Sequence, residues 1–253
     1  MINTNIPQLQ ELLSQTRRAV DDYGMIEDGD RIAVGVSGGK DSLALLAVLK
    51  GLQRFYPKKF ELFAIHLQMG FPGSDDENIR ELCDALGVEL ISVPTDIYEV
   101  VFEVRKEKSP CSLCANLRRG VLYSTATAHG CHKIALGHHF DDAVETVVMN
   151  LFHEGRFGCF SPVTYLDRTG VTMIRPLLYV AEKDVSRFVN AAGIRPSPKL
   201  CPADGNTARE DAKKLLAALE KEDRGVKMRI FGALERAGTD GFAEHQRGRK
   251  TEK

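Results

Sequence analysis

The sequence predicts an α/β fold, in which a parallel, twisted sheet carries helices on both faces and further helices stand at the N- and C-terminal ends. Short apolar runs rich in β-branched residues alternate with helical patterns between about residues 31 and 155. Such alternation is typical of parallel sheets. A glycine-rich turn, "GVSGGKDS", joins the first of these runs to a helical pattern. Turns of this kind bind nucleotide phosphates, which places the predicted sheet among nucleotide-binding folds.

Apolar periodicity and helix-ending glycines define the individual elements. The first helix is predicted over 7–23, where Leu9, Leu12, Leu13, Thr16 and Val20 share one side. Strands are predicted over 31–36, 60–67, 88–93 and 132–137. Helices between and after them are predicted over 41–56, 75–87, 113–130, 141–155, 181–193 and 207–223. Ligands in such sheets bind at the carboxyl ends of the strands, so motifs that follow different strands are expected to converge.

Composition and charge limit the partners that the chain is expected to have. Its 253 residues are 43% hydrophobic and 27% charged, which is typical of a soluble globular protein. No apolar run reaches the roughly 18 residues of a membrane helix, and the N-terminus lacks signal-peptide features. We therefore expect no membrane partner and a cytoplasmic location. The net charge of −1 argues against a general nucleic-acid coat, so any RNA would be held by local basic clusters.

The glycine-rich turn differs from two common phosphate-binding patterns. A Walker A motif would need glycine where Val34 stands and serine or threonine where Asp41 stands. A dinucleotide motif would need its second glycine at Ser37. The motif is instead Ser-Gly-Gly-Lys-Asp-Ser, residues 37–42, between a strand and a helix.

This SGGKDS loop has the chemistry of a nucleotide site. Gly38 and Gly39 allow the backbone to approach phosphate oxygens, and the following helix offers unpaired N–H groups at its positive end. The hydroxyl groups of Ser37 and Ser42 add donors. Asp41 would repel phosphate unless a cation lay between them, which implies Mg²⁺.

The six cysteines raise the question of metal binding, because disulfides are rare in a reducing cytoplasm. Cys111 and Cys114 form a C-x-x-C at a helix start, where the helix dipole is expected to lower thiol pKa values. One C-x-x-C leaves a zinc half-site, a redox pair and an iron–sulfur ligand pair open. Cys201 stands in a polar, loop-like segment. The remaining cysteines are expected to be ordinary small apolar residues: Cys83, Cys131 and Cys159.

A third motif, "ALGHHFDDAVETVVMN", crosses from a strand into a helix. Acidic residues at a helix start can be mere partners of its dipole. Here they follow a strand that ends beside the predicted ATP site.

Taken together, "SGGKDS", "CSLCANLRRG", "KIALGHHFDD" and the later Cys201 resemble the tRNA 2-thiocytidine synthetase family and its 2-thiouridine relatives. The loop alone resembles that of the N-type ATP pyrophosphatases. The resemblance runs in order over roughly residues 30–205. It implies that ATP is cleaved between its α and β phosphates, that AMP is placed on the C2 oxygen of a tRNA pyrimidine, and that sulfur then displaces AMP.

The same resemblance implies the cofactors, partners and residue roles. Cys111, Cys114 and Cys201 would hold a [4Fe–4S] cluster whose fourth iron is open. The partners would be tRNA and a sulfur donor such as a cysteine desulfurase or free sulfide. A homodimer is one candidate assembly, and the sequence leaves the oligomeric state open. The catalytic residues would be Asp41 for Mg²⁺ and pyrophosphate, Asp141 at the reacting centre, Arg118, Cys111 and Cys114. The ATP-binding residues would be Ser37, Gly38, Gly39, Lys40, Asp41, Ser42, His66, Gly137 and His138.

Four segments follow from this interpretation. An N-terminal helix occupies 1–28, and an ATP pyrophosphatase domain occupies 29–180. A helical region with the third cluster cysteine occupies 181–242. The polar segment 243–253 is predicted to be disordered.

Three other functions remain open at this point. One is sulfuration or desulfuration of a small nucleobase or metabolite, which the near-neutral charge favours. Another is lysidine synthesis, which needs no cluster and which the C-x-x-C argues against. The third belongs to another class, a metal-stabilised adenine-nucleotide-binding module without turnover.

Overall fold

A computed structural model describes residues 2–4, 6–106, 110–198, 200–202 and 208–245 of the chain. The chain forms two compact units, and each is described by itself. The first comprises Met1–His139 with Val163–Asn206, and the second comprises Phe140–Pro162 with Thr207–Lys253. Residues 246–253 of the predicted disordered tail lie outside the described residues.

The first unit contains a six-stranded sheet in the order β3-β2-β1-β4-β6-β5. Every neighbouring pair is parallel except β5 with β6, which is antiparallel. The strands are β1 Asp30–Gly35, β2 Phe60–Gln68, β3 Glu89–Pro94, β4 Lys133–Ala135, β5 Val163–Leu166 and β6 Val171–Ile174. The predicted α/β class is therefore confirmed, and the four predicted strands correspond to β1–β4.

Helices flank this sheet and build the second unit. The α-helices are α1 Pro7–Asp22, α2 Lys40–Leu52, α3 Glu77–Leu86, α4 Pro110–Ala128, α5 Phe140–Met149, α6 Glu182–Ala191, α7 Ala208–Glu222 and α8 Val226–Ala237. Helices α1–α4 and α6 belong to the first unit. Short π-helical turns occupy Glu99–Arg105 and Asn150–Glu154, and a 3₁₀ turn occupies Thr239–Gly241.

Apart from short helical turns, the sequence prediction missed three elements, and it overran β4, which was predicted over 132–137, and several helices. The β5–β6 hairpin and helix α8 were not predicted. The strands of that hairpin have four residues each, too few for a clear alternation. The helix predicted over 41–56 ends at Leu52, and the helix predicted over 141–155 ends at Met149. The last residues of the helix predicted over 141–155 instead form the π-helical turn Asn150–Glu154, which ends at Gly155 with φ of +61°.

Helix α2 is the most buried helix of the first unit. Ten of its 13 residues are buried, because it contacts β1 and β2 as well as α1, α3 and α6. A helix that is apolar all round belongs in a core. Gly51 lets α1 approach closely, since a Cβ there would lie 3.2 Å from a methyl carbon of Leu13. This packing fixes the first turn of α2, where the SGGKDS loop ends.

Helix α4 contrasts with α2. It has 19 residues, and Ala126 is the one residue of this helix that is buried. Its first turns carry the C-x-x-C and contain no buried residue, whereas Leu122, Tyr123 and Ala126 in its second half pack in the hydrophobic core.

The second unit is built from α5, α7 and α8 with the segment between α5 and β5. Its core contains Phe140, Phe231 and Phe242, whose successive ring centroids lie 5.0 and 5.7 Å apart. Asp240 accepts a 2.7 Å hydrogen bond from the backbone N–H of Cys159, which ties this segment to the end of the unit. In the described part of the chain, no helix has the length and apolar character needed to cross a membrane.

A tyrosine in the first unit gives a test of the packing between α1 and the residues after α2. The Tyr56 hydroxyl donates a 2.8 Å hydrogen bond to Asp21, and its ring is 3% exposed. Burial, followed by the Asp21 carboxylate, raises the pKa of Tyr56 to about 12. We expect Tyr56→Phe to lower the free energy of unfolding by about 1 kcal/mol at neutral pH.

The same pKa gives the sign of the pH dependence. An unfolded tyrosine ionises near pH 10, so the stabilisation is fully present below pH 10. It is lost as the pH rises through about 12. Denaturant unfolding at a series of pH values measures both effects. Tyr165→Phe is the matched control because that ring is 61% exposed. Equal losses in the two variants would contradict the assignment.

Candidate active site

The SGGKDS loop is held by a segment that lies far from it in the sequence. Gly38 has φ of +81°, and the N–H of Ser197 donates a 2.9 Å hydrogen bond to its carbonyl oxygen. A Cβ on Gly38 would overlap the Ser197 side chain. The Asn78 amide donates in turn to the Ser197 hydroxyl, at 3.1 Å, and to the Arg195 carbonyl, at 2.6 Å. Gly38 is therefore required both for its backbone angle and for this close approach.

The two serines of the loop stabilise it through hydrogen bonds within the loop. The buried Ser42 hydroxyl donates to the Gly39 carbonyl at 2.9 Å and accepts the N–H of Ser37 at 3.1 Å. The two serine hydroxyls lie 3.2 Å apart. Gly39 begins α2 in an extended conformation without a side-chain cap. First-turn N–H groups without a side-chain cap suit an anion such as a phosphate.

Lys40 and Asp41 form the charged part of the loop. The Lys40 ammonium donates to both carboxylate oxygens of Asp41, at 2.9 Å each, and lies 3.0 Å from Glu182 on α6. Burial acts to lower the pKa of Lys40, but the hydrogen bonds and charges of Asp41 and Glu182 outweigh it and raise the pKa. Lys40 is thus a fixed positive charge at neutral pH, which is suited to phosphate oxygens.

Two other predicted residues lie around the loop. A Cβ on Gly137 would come within 3.0–3.1 Å of the backbone of Asp41 and Ser42, so the chain after β4 touches the start of α2. His66 makes a 2.8 Å hydrogen bond through Nδ1 to the Val36 carbonyl, directly before the loop. His138 is half-buried on the segment between β4 and α5. The next residue, His139, is 3% exposed and its Nε2 lies 3.6 Å from Asp41.

The second group of predicted residues is the three-thiol group, which consists of Cys111, Cys114 and Cys201. All three are free thiols; Cys111 and Cys201 are exposed and Cys114 is half-buried. Burial raises the pKa of Cys114, Arg118 opposes this, and the charges of Cys201 and Cys111 raise it further. The fold therefore brings Cys201 within electrostatic reach of the C-x-x-C.

The pKa of Cys114 corrects one expectation. A helix start was expected to lower the pKa of both C-x-x-C thiols, but burial and the two neighbouring thiols outweigh that effect at Cys114. Among the residues that the structure describes, no three His, Cys, Asp or Glu side chains stand in metal-binding geometry. The donor set nevertheless fits a soft metal or an iron–sulfur cluster, since three thiols share one neighbourhood.

The other cysteines behave as predicted. Cys83, Cys131 and Cys159 are buried. Burial raises the pKa of the Cys83 thiol to about 11, which makes it unreactive at neutral pH.

Acidic residues of the third motif lie in the second unit, on α5. We call Asp141, Asp142 and Glu145 the acidic turn. Asp141 is 6% and Glu145 is 4% exposed. The Lys227 ammonium lies 2.6 Å from Asp141, while Arg209 lies 2.7 Å from Asp142 and 3.6 Å from Glu145. Each carboxylate of the acidic turn therefore lies near a cation from α7 or α8.

Several residues that shape these sites escaped the sequence analysis. All but His139 stand outside the quoted motifs, so pattern alone gave no reason to choose them; His139 lies within the "GHHFDD" motif, beside the predicted His138. They are Asn78, His139, Glu182, Ser197, Arg209 and Lys227.

Comparisons with known proteins identify relatives of this chain. A family model described as a PP-loop domain matches residues 7–196. The tRNA-cytidine(32) 2-sulfurtransferase of Geobacter sulfurreducens is 44% identical over 220 residues, 86% of each chain. The protein of the same name from Cupriavidus taiwanensis is 42% identical over 225 residues, 88% of this chain and 73% of that one.

A solved structure is also similar. It is the U34-tRNA thiolase NcsA from Methanococcus maripaludis with its [4Fe-4S] cluster. The TM-score is 0.74 at 26% sequence identity, and the match covers 90% of this chain and 79% of that chain.

The contact at Gly38 gives a test of the nucleotide site. We expect Gly38→Ala to weaken ATP binding at least about tenfold, because the new methyl group displaces Ser197 in addition to the strain of a positive φ. Gly73→Ala is the matched control, since Gly73 has φ of +75° and no atom within 4 Å of the added Cβ. Calorimetric titration with ATP measures the affinities. Equal affinities in the two variants would show that the contact with Ser197 does not matter.

Proposed function

The chain belongs to the PP-loop family and, within it, to the tRNA-cytidine(32) 2-sulfurtransferases, and we propose that it replaces the C2 oxygen of a tRNA cytidine by sulfur. The reaction consumes ATP and releases AMP and pyrophosphate. The names of its relatives point to cytidine 32 as the nucleoside.

One observation carries the proposal most directly. Cys111 and Cys201 both raise the pKa of Cys114, and all three residues belong to the same compact unit as the SGGKDS loop. A nucleotide loop alone supports many reactions of PP-loop proteins. Three thiols that share one neighbourhood point to sulfur chemistry in addition.

The first step activates the base. Attack of the cytidine C2 oxygen on the α-phosphorus of ATP forms a C–O–P linkage and breaks the bond to the β-phosphate. The α2 N-terminus and Lys40 would stabilise the negative charge on the leaving pyrophosphate. Asp41 would hold Mg²⁺, which prefers carboxylate and phosphate oxygens. His66, Gly137 and His138 would complete the ATP site.

The second step replaces the oxygen. A sulfur nucleophile forms a bond to C2, and the C2–O bond breaks as AMP leaves with the oxygen atom. Cys111, Cys114 and Cys201 would hold a [4Fe–4S] cluster that, when bound, supplies an open iron position for the incoming sulfide. Arg118, four residues after Cys114, would stabilise the anionic AMP leaving group, and Asp141 would act at the reacting centre.

Further partners belong to this proposal. The sulfur donor is a cysteine desulfurase or free sulfide, and the protein acts in the cytoplasm. We also propose a homodimer. Exposed apolar side chains in the second unit support such contacts, among them Phe152, which is 70% exposed, and Leu151, which is 45% exposed. Sedimentation equilibrium on the full chain measures the oligomeric state. A monomer at all protein concentrations would contradict the proposed homodimer.

The three thiols give the central test. After anaerobic purification and reconstitution, we expect about four irons and four sulfides per wild-type chain. Alanine substitution of Cys111, Cys114 or Cys201 should abolish the visible absorption band and lower 2-thiocytidine formation at least about 100-fold. Mass spectrometry of nucleosides from the tRNA product measures the activity.

Cys83→Ala is the control, because that thiol is buried in the core and should leave both iron and activity in place. Zinc in place of iron, or thiolation that survives the loss of Cys201, would exclude the cluster-dependent reaction.

Salt dependence distinguishes tRNA from a small acceptor. Binding of tRNA releases counterions, so we expect its affinity to fall at least about tenfold between 50 and 200 mM salt. The uncharged base of a free nucleoside would show little such change. Filter binding with unmodified tRNA measures the affinity. Thiolation of free cytidine, together with tRNA binding that is weak and insensitive to salt, would favour the small acceptor.

A further inference from the structure

We propose that Lys227 on α8 is the positioning residue for Asp141. The Lys227 ammonium donates a 2.6 Å hydrogen bond to Oδ1 of Asp141. The two side chains are 24% and 9% exposed, respectively. Both belong to the second unit, so the contact lies within one compact unit.

The burial of Asp141 makes a cation necessary. A carboxylate with this little exposure has lost most of its hydration, and an ionised group in such a place must be paired. Its position in the first turn of α5 supplies part of the compensation through the helix dipole. The ammonium of Lys227 supplies a full charge and a directed hydrogen bond, which fixes one carboxylate oxygen in a single orientation.

Lys227 is itself held in place by the turn before α8. The Glu220 carboxylate accepts the backbone N–H of Gly225 at 2.8 Å and that of Lys227 at 3.1 Å. These backbone hydrogen bonds lower the pKa of Glu220, so it stays ionised at neutral pH. Gly225 starts α8 with φ of +90°, an angle that favours glycine. The turn thus anchors the backbone from which the Lys227 side chain extends.

A second cation serves the rest of the acidic turn. Arg209 on α7 pairs with Asp142 and Glu145 and donates to the hydroxyl of Thr146 at 3.4 Å. Arg209 thus pairs with Asp142 and Glu145, whereas the Lys227 ammonium pairs with Asp141. The helices α7 and α8 therefore supply cations to the acidic turn, in addition to completing the core of the second unit.

The inference rests on the proposed function, because the role of Asp141 in the reaction is part of that proposal. With the cluster loaded and ATP saturating, we expect Lys227→Met to lower kcat for 2-thiocytidine formation by about ten- to 100-fold, the loss typical of a displaced reacting group. The KM for ATP should change less than about threefold, since the SGGKDS loop is untouched. Lys227→Arg should recover most of the rate.

Lys221→Met is the matched control, because Lys221 is exposed on α7 and belongs to neither site. It should keep the wild-type kcat. Wild-type kcat in Lys227→Met would overturn the inference while leaving the proposed function intact. So would an arginine variant that is no better than the methionine variant.

Thermal unfolding tests the pairing of Lys227 with Asp141 independently of any enzyme assay. Lys227→Met leaves a buried carboxylate without this ammonium, whereas adding Asp141→Asn removes that charge as well. The double variant should therefore have a Tm no lower than that of Lys227→Met. Additive losses of Tm would show that the two side chains do not act as a pair, and would sink the inference.

A wild-type enzyme that forms no 2-thiocytidine would instead overturn the proposed function. Pyrophosphate release from ATP then becomes the activity in which the same variants are compared, with the same expected order. An unchanged rate in Lys227→Met would again overturn the inference.

Discussion

The close backbone contacts around the first turn of α2 are the constraint on which the nucleotide site depends. Gly38 admits Ser197, and Gly137 admits the backbone of Asp41 and Ser42. Both glycines allow segments from different parts of the chain to meet where a side chain would keep them apart. The buried body of α2 prevents the helix from moving away from these contacts. The result is a fixed set of backbone N–H groups at the start of α2, beside the Lys40 ammonium that Asp41 and Glu182 hold.

The three-thiol group follows a different principle. Its thiols are brought near one another, but burial and mutual repulsion disfavour the thiolate of Cys114. A cation that binds all three removes that repulsion, because metal binding displaces the thiol protons. The protein thus keeps the Cys114 thiol protonated at neutral pH until a positively charged centre displaces its proton.

Local patterns predicted the fold class, the four parallel strands and the SGGKDS loop, because each depends on residues that are neighbours in sequence. The resemblance to the thiolation family was confirmed by the relatives. The partners of these residues were not predictable. Ser197 reaches Gly38, and Lys227 reaches Asp141, through chain folding that periodicity does not encode. The predicted direction of the Cys114 pKa shift was wrong for the same reason, since burial and a thiol distant in sequence, Cys201, raise that pKa.

The exposed character of α4 has a consequence for how the protein survives in a cell. The first half of α4, where two of the thiols stand, contains no buried residue, whereas Leu122, Tyr123 and Ala126 hold its second half on the core. The cysteine end therefore opens at a lower free-energy cost than the rest of the helix and is more accessible to proteases. A ligand that joins this end to Cys201 would raise the cost of opening by mass action. A chain in which a ligand joins this end to Cys201 would therefore resist proteolysis at the start of α4 longer than a chain without the ligand.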